Sequence, residues 1–338
     1  MPSNQSPLGA LPARFRRERV LIVGCGDVGV RAARMLGRRV RLLALSWTPA
    51  RSPRLRELGI TPLAGNLDQP ATLARLAGLG TRVIHLAPPE SELGSDWWRD
   101  PRTLALSRAL RRRAAPASFV YASTTGVYGD CGGARIDETR AVNPRTPRAQ
   151  RRVDAERVVR HYGRAAQVRA SILRIPGIYA PDRAGGTPRE RLLRGTPVLQ
   201  ARDDVYTSHI HADDLARAVL AALWRGRPLR VYNVSDDSEL KMGDYFDLAA
   251  DLYGLPRPRR LPRSTAEAEL PLMLLSFMSE SRRLDNRRLK EELRVRLWYP
   301  TVESGLSPGP SLPLPLDLHS LSLRERAGVR GRGVMPSP

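Results

Sequence analysis

The chain has 338 residues, of which 41% are hydrophobic, and its formal net charge is +22. This length and apolar content suffice for a large folded core, which excludes disorder of the whole chain as the starting expectation. No apolar run approaches the roughly 20 residues that cross a bilayer, and the basic first residues lack the apolar stretch of a secretory signal. Two cysteines cannot build a disulfide framework. These features predict a soluble cytoplasmic protein without a membrane anchor.

The positive charge comes almost entirely from arginine. Of the 56 basic residues, all except Lys241 and Lys290 are arginines, and they are scattered along the chain. A nucleic-acid interface would combine a basic stripe with exposed aromatic residues, but aromatic residues make up only 5% of the chain. The sequence therefore does not favour nucleic-acid binding, and we interpret the charge as a solvated basic surface.

The elements alternate along the first half of the chain. Residues 1–18 are polar and basic and are predicted to form a flexible leader. Apolar strand patterns and helical patterns then follow one another, which predicts βαβ units and a parallel sheet. Strands are predicted at 20–23, 40–45, 83–87 and 119–122, and helices at 30–36, 51–58, 71–77, 104–113 and 151–161. Asp68 is placed to cap the helix over 71–77.

The second half is less regular. Strands are predicted at 172–175 and 231–234, and helices at 213–224, 242–253 and 283–292. From residue 307 onward the sequence is rich in Pro, Ser, Leu and Arg without periodicity, which predicts a disordered tail.

A glycine-rich turn carries the main chemical signal. The apolar strand VLIV runs directly into GCGDVG at 24–29, and a helical pattern follows. In this G-x-G-x-x-G context, the first glycine permits a tight turn, the second lets a pyrophosphate approach the backbone, and the third lets helix and strand pack closely. Free N–H groups at the helix start would face the phosphates. The turn predicts a nicotinamide dinucleotide site whose binding residues are Gly24, Gly26, Asp27, Val28 and Gly29.

The end of the second predicted strand bears on the choice of cofactor. An NAD site usually carries an acidic residue about 20 positions after the glycine turn. Here no Asp or Glu occurs between Ser46 and Glu57, whereas Arg51 and Arg54 are placed to meet a 2′-phosphate. The sequence therefore favours NADP over NAD. The predicted neighbours of the adenine are Asn66 and Leu67.

Several ordered segments share the pattern of one enzyme family. They are HLAPP at 85–89, YASTTGVYGD at 121–130, LRIPGIYAP at 173–181, HIHADDLARAV at 209–219 and YNVSDD at 232–237. Together with the glycine turn, they resemble the extended short-chain dehydrogenases (the NAD-dependent epimerase/dehydratases), especially atypical bacterial members. The resemblance covers about residues 20–305. It implies cofactor contacts from Ala87, Pro88 and Pro176.

The resemblance also implies an architecture and a substrate class. The fold is expected to be α/β, a Rossmann-like doubly wound parallel sheet with a small C-terminal substrate lobe. The predicted organisation is a leader at 1–18, an NAD(P)-binding Rossmann domain at 19–170, a substrate lobe with returning Rossmann elements at 171–306, and the tail at 307–338. The expected partner is a small-molecule or sugar-nucleotide substrate.

The catalytic positions of the family are only partly present. Thr124 stands where the family has a Ser or Thr whose hydroxyl polarises a substrate carbonyl; the alternative is that Thr124 only caps its loop. The family's Tyr-x-x-x-Lys pair falls on Arg148 and Arg152, and no Tyr-x-x-x-Lys occurs anywhere in the chain. Arginine keeps its proton at relevant pH, so it cannot act there as acid or base. The standard proton-transfer mechanism of the family is therefore absent.

Three interpretations follow for an NAD(P)-binding oxidoreductase or epimerase-like protein. Tyr128 or Tyr179 donates the proton, with its pKa lowered by Arg148 or Arg152. Alternatively, the protein binds a dinucleotide without turnover, as a regulatory or sensor protein. Finally, the arginine pair holds an anionic substrate such as a sugar nucleotide; the competing explanation for the pair is a solvated basic helix face.

Two histidines stand two residues apart, a spacing that could suit a metal site. His209 and His211 share one face of a strand, but no third ligand with suitable spacing is evident, so no metal is predicted. Asp213 and Asp214 follow at the start of a helix, where carboxylates are expected to cap free N–H groups and to complement the helix dipole. A structural role is therefore expected for this segment.

Overall fold

The computed structural model describes residues 18–90, 96–271, 274–275 and 278–307. Apart from Glu18 and Ser307, the predicted leader and tail lie outside these residues. The strands are β1 Arg19–Val23, β2 Arg41–Ser46, β3 Ile60–Ala64, β4 Arg82–His85, β5 Ser118–Thr124, β6 Arg135–Ile136, β7 Arg169–Ile175, β8 Gly177–Tyr179, β9 Val198–Leu199, β10 Tyr206–Thr207, β11 His209–His211, β12 Arg230–Asn233, β13 Leu240–Lys241, β14 Arg260–Leu261 and β15 Arg283–Leu284.

Helices and 3₁₀ turns connect these strands. The helices are α1 Asp27–Leu36, α2 Ser52–Glu57, α3 Pro101–Leu110, α4 Pro147–Ala165, α5 Arg189–Leu193, α6 Ala212–Arg225, α7 Met242–Tyr253, α8 Arg263–Glu269, α9 Arg287–Glu291 and α10 Val302–Leu306. The 3₁₀ turns are Gly37–Arg39, Pro49–Arg51, Pro70–Leu76 and Thr125–Tyr128.

A parallel sheet forms the centre of the molecule. Its strand order is β12-β7-β5-β4-β1-β2-β3, and every neighbouring pair is parallel. The chain builds β1, β2 and β3 in one direction and then crosses to β4 on the other side of β1. This reversal makes a topological switch point between β1 and β4, where ligands of such sheets bind. The predicted Rossmann-like doubly wound fold is confirmed.

Both faces of the sheet are covered. Val20 and Ile22 of β1 pack into the core beneath α1 and α6, whereas Leu21 and Val23 pack into the opposite core beneath α3 and α4. A strand buried on both faces needs an apolar residue at every position, which explains the continuous VLIV run.

Local capping signals set the ends of the main helices. The Asp100 carboxylate accepts hydrogen bonds from the N–H groups of Arg102 (3.1 Å) and Thr103 (3.3 Å), which starts α3. Thr146 accepts the N–H of Ala149 at 3.2 Å at the start of α4. Helix α7 ends at Gly254 in the left-handed conformation, with φ 62°, as the sequence predicts.

The predicted capping of the 71–77 helix by Asp68 is wrong. This segment is a 3₁₀ turn that begins at Pro70, after Gln69, and no side chain caps it. The Asp68 carboxylate instead forms two hydrogen bonds of 2.6 Å with Arg102 on α3. The ion pair with Arg102 on a distant helix therefore replaces the local capping interaction that was expected of Asp68.

The predicted helix at 283–292 is also wrong in its first part. Residues 283–284 form β15, which pairs with β6, and only 287–291 are helical. The Asp285 carboxylate accepts the N–H of Arg287 at 2.9 Å, and the N–H of Arg283 bonds to the carbonyl of Ala134 at 3.0 Å. These two bonds hold the backbone out of a helix before residue 287.

Helix α6 begins differently from the prediction. Its N-cap is His211, whose Nδ1 accepts the N–H of Asp213 at 3.2 Å, so the capping role expected for Asp213 and Asp214 is wrong. The Asp213 carboxylate bonds Arg31 at 2.6 Å, and Asp214 accepts the N–H of Trp298 at 2.9 Å. Both carboxylates still lie in the first turn, where they complement the helix dipole.

The second half of the chain adds a lobe at the carboxyl ends of the strands. Its core gathers apolar residues of α7, α10 and the short strand β9. Two-residue and three-residue strands join the lobe together in the pairs β8–β11, β9–β14 and β10–β13. Such short strands, and helices such as α5 and α8, leave too weak a periodic signal for the sequence to predict. Within the described residues, no helix combines the length and apolar character that spanning a membrane requires.

Candidate dinucleotide site and its surroundings

The three glycines of the turn have three different environments. Gly24 has φ +84°, and a Cβ there would lie 2.4 Å from the backbone nitrogen of Ala87. A Cβ on Gly26 would meet nothing within 4 Å. A Cβ on Gly29 would lie 3.3 Å from Cγ2 of Ile22 on β1. The turn is therefore tight at the first glycine, open at the second and packed at the third, as a phosphate-binding turn requires.

The N-terminus of α1 opens beside Gly26. Gly26 is the N-cap of α1, and no side chain caps the helix. The Asp27 carboxylate bonds Nε of Arg31 through both oxygens at 3.2 Å. The first-turn N–H groups, including those of Asp27 and Val28, are therefore left for a ligand, and the helix dipole favours an anion there. These residues fit the pyrophosphate of a dinucleotide.

Arg51 lies next to the same turn. It ends the 3₁₀ turn after β2, and its Nη2 donates to the carbonyl oxygen of Cys25 at 2.7 Å. Strand β2 ends at Ser46, whose hydroxyl donates to the carbonyl of Thr48 at 3.2 Å. Because the strand ends in a serine, it presents no carboxylate there. Trp47, which follows, is 74% exposed. This edge of the site is basic and aromatic.

The remaining predicted cofactor residues lie at other strand ends of the same sheet edge. Asn66 and Leu67 are half-buried and follow β3. Ala87 follows β4 and its N–H bonds the carbonyl of Val23 at 3.2 Å; Pro88 comes next and is exposed. Pro176 stands between β7 and β8. Because all these strands are parallel, their carboxyl ends place the residues along one edge.

Thr124 ends β5 at this edge. Its Oγ1 accepts the N–H of Gly126 at 3.3 Å and caps the 3₁₀ turn that follows. Accepting that bond leaves the hydroxyl proton of Thr124 free to donate. The cap anticipated as the alternative role is therefore present, and it is compatible with a bond to a substrate oxygen.

The two arginines of α4 differ in their surroundings. Arg152 is 7% exposed, and its Nη1 donates to the carbonyl of Ala122 at 2.5 Å and to the hydroxyl of Tyr121 at 3.1 Å. Arg148, one helical turn nearer the N-terminus, is exposed, and among the described residues it has no hydrogen-bond or ion-pair partner. Arg152 is therefore tied to β5, whereas Arg148 is available to a ligand.

The tyrosines suggested as proton donors are both bonded to the protein. Tyr128 is 1% exposed and donates to Oδ1 of Asn233 at 2.7 Å. Burial raises its pKa to about 12, although Arg174 opposes the shift. The hydroxyl of Tyr179 donates to the carbonyl of Thr301 at 3.2 Å, and burial raises its pKa. Neither hydroxyl is prepared to give up a proton near neutral pH.

A buried ionic cluster joins α4 to Ser123 of β5 and to β7, and the sequence does not predict it. Glu156 of α4 is 1% exposed; it accepts from Ser123 at 2.7 Å and from Arg174 at 3.0 and 2.8 Å. Arg174 also lies over the ring of Tyr128, 4.6 Å from its centroid. The available signal was the spacing: Glu156 follows Arg152 by four residues and so shares its helix face.

The glycine turn, the open N-terminus of α1 and the switch point define a dinucleotide-binding type of α/β protein. A sequence profile described as the NAD dependent epimerase/dehydratase family matches residues 20–235. The chain therefore belongs to the NAD-dependent epimerase/dehydratase family.

Similar proteins agree with this assignment. The chain is 26% identical over 233 residues to GDP-6-deoxy-D-mannose reductase of Pseudomonas aeruginosa, across 62% of this chain and 70% of that protein. A solved protein of unknown function from Silicibacter pomeroyi is 31% identical, with a TM-score of 0.71 over 86% of this chain and 96% of that one. UDP-glucose 4-epimerase of Thermotoga maritima, solved with UDP-glucose, shares the fold at 19% identity, with a TM-score of 0.69 over 85% and 96% of the two chains.

Proposed function

We propose that this protein binds NADP(H) at the glycine turn and acts on a small-molecule or sugar-nucleotide substrate above Thr124. The observation that carries the proposal is the open space at Gly26 beside the uncapped N-terminus of α1. A backbone cradle of this kind holds a pyrophosphate without side-chain competition. The relatives named for GDP-6-deoxy-D-mannose and solved with UDP-glucose support a sugar nucleotide as the substrate class.

The preference for NADP rests on Arg51. Its guanidinium reaches the glycine turn, and the end of β2 presents no carboxylate to bind the ribose hydroxyls or to repel a 2′-phosphate. Arg51→Gln should weaken NADP binding at least about 10-fold, as expected when a charge-assisted hydrogen bond is lost, and change NAD binding little. Arg56→Gln, an exposed arginine on α2, is the matched control. Equal loss of NAD and NADP affinity in Arg51→Gln would contradict this assignment.

The chemistry we propose is hydride exchange without a tyrosine acid. The bound dinucleotide supplies or accepts the hydride at the substrate carbon. In the reducing direction, the carbonyl electron pair moves to oxygen, the Thr124 hydroxyl donates a hydrogen bond to that oxygen, and water supplies the proton. Arg148 holds the anionic part of the substrate, because it is exposed and unpaired within the described residues. Arg152 is a positioning residue that fixes α4 against β5.

A second function is favoured by one specific observation. The described site contains no prepared proton donor: Tyr128 and Tyr179 are bonded elsewhere, and positions 148 and 152 hold arginine. A protein with this arrangement can bind a dinucleotide as a regulatory or sensor protein without turning over a substrate.

One series of measurements separates the two functions. Calorimetric titration with NAD, NADH, NADP and NADPH tests binding and phosphate preference together. Nicotinamide absorbance is then followed across a panel of carbonyl compounds and sugar nucleotides. Turnover that falls in Thr124→Ala and persists in Thr124→Ser supports the enzyme. Binding without any turnover supports the regulatory protein, and absence of dinucleotide binding overturns both.

A further inference from the structure

We propose that Arg183 is a further cofactor-binding residue, which reaches from the substrate lobe to the pyrophosphate at the N-terminus of α1. This inference rests on the proposed function. Arg183 lies in the loop after β8, and its Nε is 3.7 Å from Oδ2 of Asp27, the first residue of α1. No motif in the sequence marks it for this role.

The loop holds Arg183 in a defined position. The N–H of Ala180 bonds the carbonyl of Gly186 at 3.1 Å, and the N–H of Gly186 bonds the carbonyl of Arg183 at 2.9 Å. A Cβ on Gly186 would lie 2.5 Å from the carbonyl oxygen of Ala180, so the closed loop requires glycine there. The Arg183 side chain is anchored as well, because its Nη1 donates to the carbonyl of Ile178 at 3.1 Å.

A buried arginine ties this loop to α1. Arg31 is 8% exposed and bonds Asp182 of the loop and Asp213 of α6, each at 2.6 Å. It also bonds Asp27 within α1. The residue before Arg183 is thus fastened to the helix that begins at the glycine turn, which directs Arg183 toward the same helix end.

The carboxylates around this helix end would repel a bound anion unless a cation is available to offset them. Three carboxylates, those of Asp27, Asp182 and Asp213, face the guanidinium groups of Arg31 and Arg183. A pyrophosphate would bring further negative charge beside Asp27. All three guanidinium nitrogens of Arg31 already bond carboxylates, whereas Nη2 of Arg183 makes no hydrogen bond to any described residue. Arg183 is therefore the cation that is free to turn to the phosphate, and guanidinium–phosphate bonds are strong and directional.

The competing explanation is that Arg183 only neutralises Asp27. The two roles differ in what happens when the carboxylate is removed. If Arg183 only balances Asp27, the double variant Asp27→Asn/Arg183→Gln recovers the affinity that Arg183→Gln loses. If Arg183 contacts the phosphate, the double variant stays as weak as the single one.

The experiment is a calorimetric titration of the whole chain with NADPH and with adenosine 2′-monophosphate, which lacks the pyrophosphate. Arg183→Gln should weaken NADPH binding about 10-fold or more, the effect expected for one charge-assisted hydrogen bond, and leave the monophosphate affinity unchanged. Arg189→Gln, an exposed arginine on α5, should change neither. Melting temperatures without ligand are compared to confirm that each variant is folded.

The outcomes distinguish this inference from the proposed function. Wild-type protein that binds no dinucleotide overturns the proposed function and this inference with it. Wild-type protein that binds NADPH, with Arg183→Gln binding it equally well, overturns only the role of Arg183. Recovery in the double variant, or an equal loss for NADPH and the monophosphate, also overturns that role.

Discussion

Gly24 and Gly26 stand two residues apart in one turn, but different constraints require glycine at each. A side chain at Gly26 would project into open space, where the pyrophosphate is expected. Gly26→Val should therefore leave the free energy of unfolding nearly unchanged and abolish detectable dinucleotide binding. Chemical denaturation and calorimetric titration of the same preparation measure the two effects. A Gly26→Val protein that binds NADPH like the wild type would contradict the site.

Gly24→Ala is the matched comparison for that variant. At φ +84° an L-residue is strained by about 1–2 kcal/mol, and the added Cβ would also press on the backbone of Ala87. Gly24→Ala should therefore lower the free energy of unfolding by more than this strain alone. The pair separates a glycine needed for the backbone from a glycine needed for the ligand.

His85 gives the protein a predicted pH dependence. It is 1% exposed, and burial, followed by the charges of Arg152 and Arg102, lowers its pKa to about 3. In the unfolded chain the pKa of histidine is about 6.5, so between these values the unfolded state binds a proton that the folded state does not. Stability should therefore fall as the pH drops below about 6.5, by up to about 1.4 kcal/mol per pH unit for this group.

The measurement is the free energy of unfolding at several pH values between neutral and the acid transition. His85→Gln keeps a hydrogen-bonding group toward Thr103, whose hydroxyl lies 3.0 Å from Nε2, but removes the titration. Its curve should be flatter in this range. His161→Gln, on the exposed side of α4, is the control; an unchanged slope in His85→Gln would refute the assignment.

At the level of elements, α4 is held to the sheet by its inner face. Arg152 and Glu156 are four residues apart and so lie on the same face of α4. Glu156 forms an ion pair with Arg174 in which both side chains are almost fully buried. Removing one partner of such a pair leaves an uncompensated charge. Glu156→Ala should therefore destabilise the protein by about 3–5 kcal/mol.

Denaturant unfolding of Glu156→Ala tests this prediction. The exposed Glu190→Ala, whose carboxylate lies 4.0 Å from Arg194, should change stability by well under about 1 kcal/mol. The double variant Glu156→Ala/Arg174→Met removes both charges and should recover part of the loss. A loss in Glu156→Ala as small as that in Glu190→Ala would show that the buried pair is not a structural anchor of α4.

The predictable elements share one property. Six of the seven strands of the central sheet, all except the partly exposed β3, and the long helices α1, α4, α6 and α7 carry an apolar pattern that is visible within a few residues. The short strand pairs of the lobe are held by contacts between segments far apart in the chain, such as β6 with β15. Asp68 illustrates the limit, because its local environment favours a cap and a distant Arg102 decides otherwise.

For the whole molecule, the net charge of +22 leads to a prediction about polyanions. Affinity for DNA that depends on 6–10 scattered phosphate contacts falls about 10³–10⁵-fold between 50 and 200 mM salt. We expect any binding of a single-stranded oligonucleotide to disappear over this range, while NADPH binding weakens far less because it uses backbone N–H groups. Fluorescence anisotropy at both salt concentrations measures this. Saturable oligonucleotide binding that persists at 200 mM salt would contradict the interpretation of the charge.

The sequence by itself determined the strand–turn–helix at residues 20–36, the alternation that makes a parallel sheet and the absence of Tyr-x-x-x-Lys. These are local patterns, and local sterics and periodicity are enough to specify them. Only the tertiary structure decided which charges meet. Arg31 finds Asp182 and Asp213 across 151 and 182 residues of chain, and in a chain with 56 basic residues no local signal separates these pairs from solvated arginines. The distinction arises only when folding removes water from a few of them.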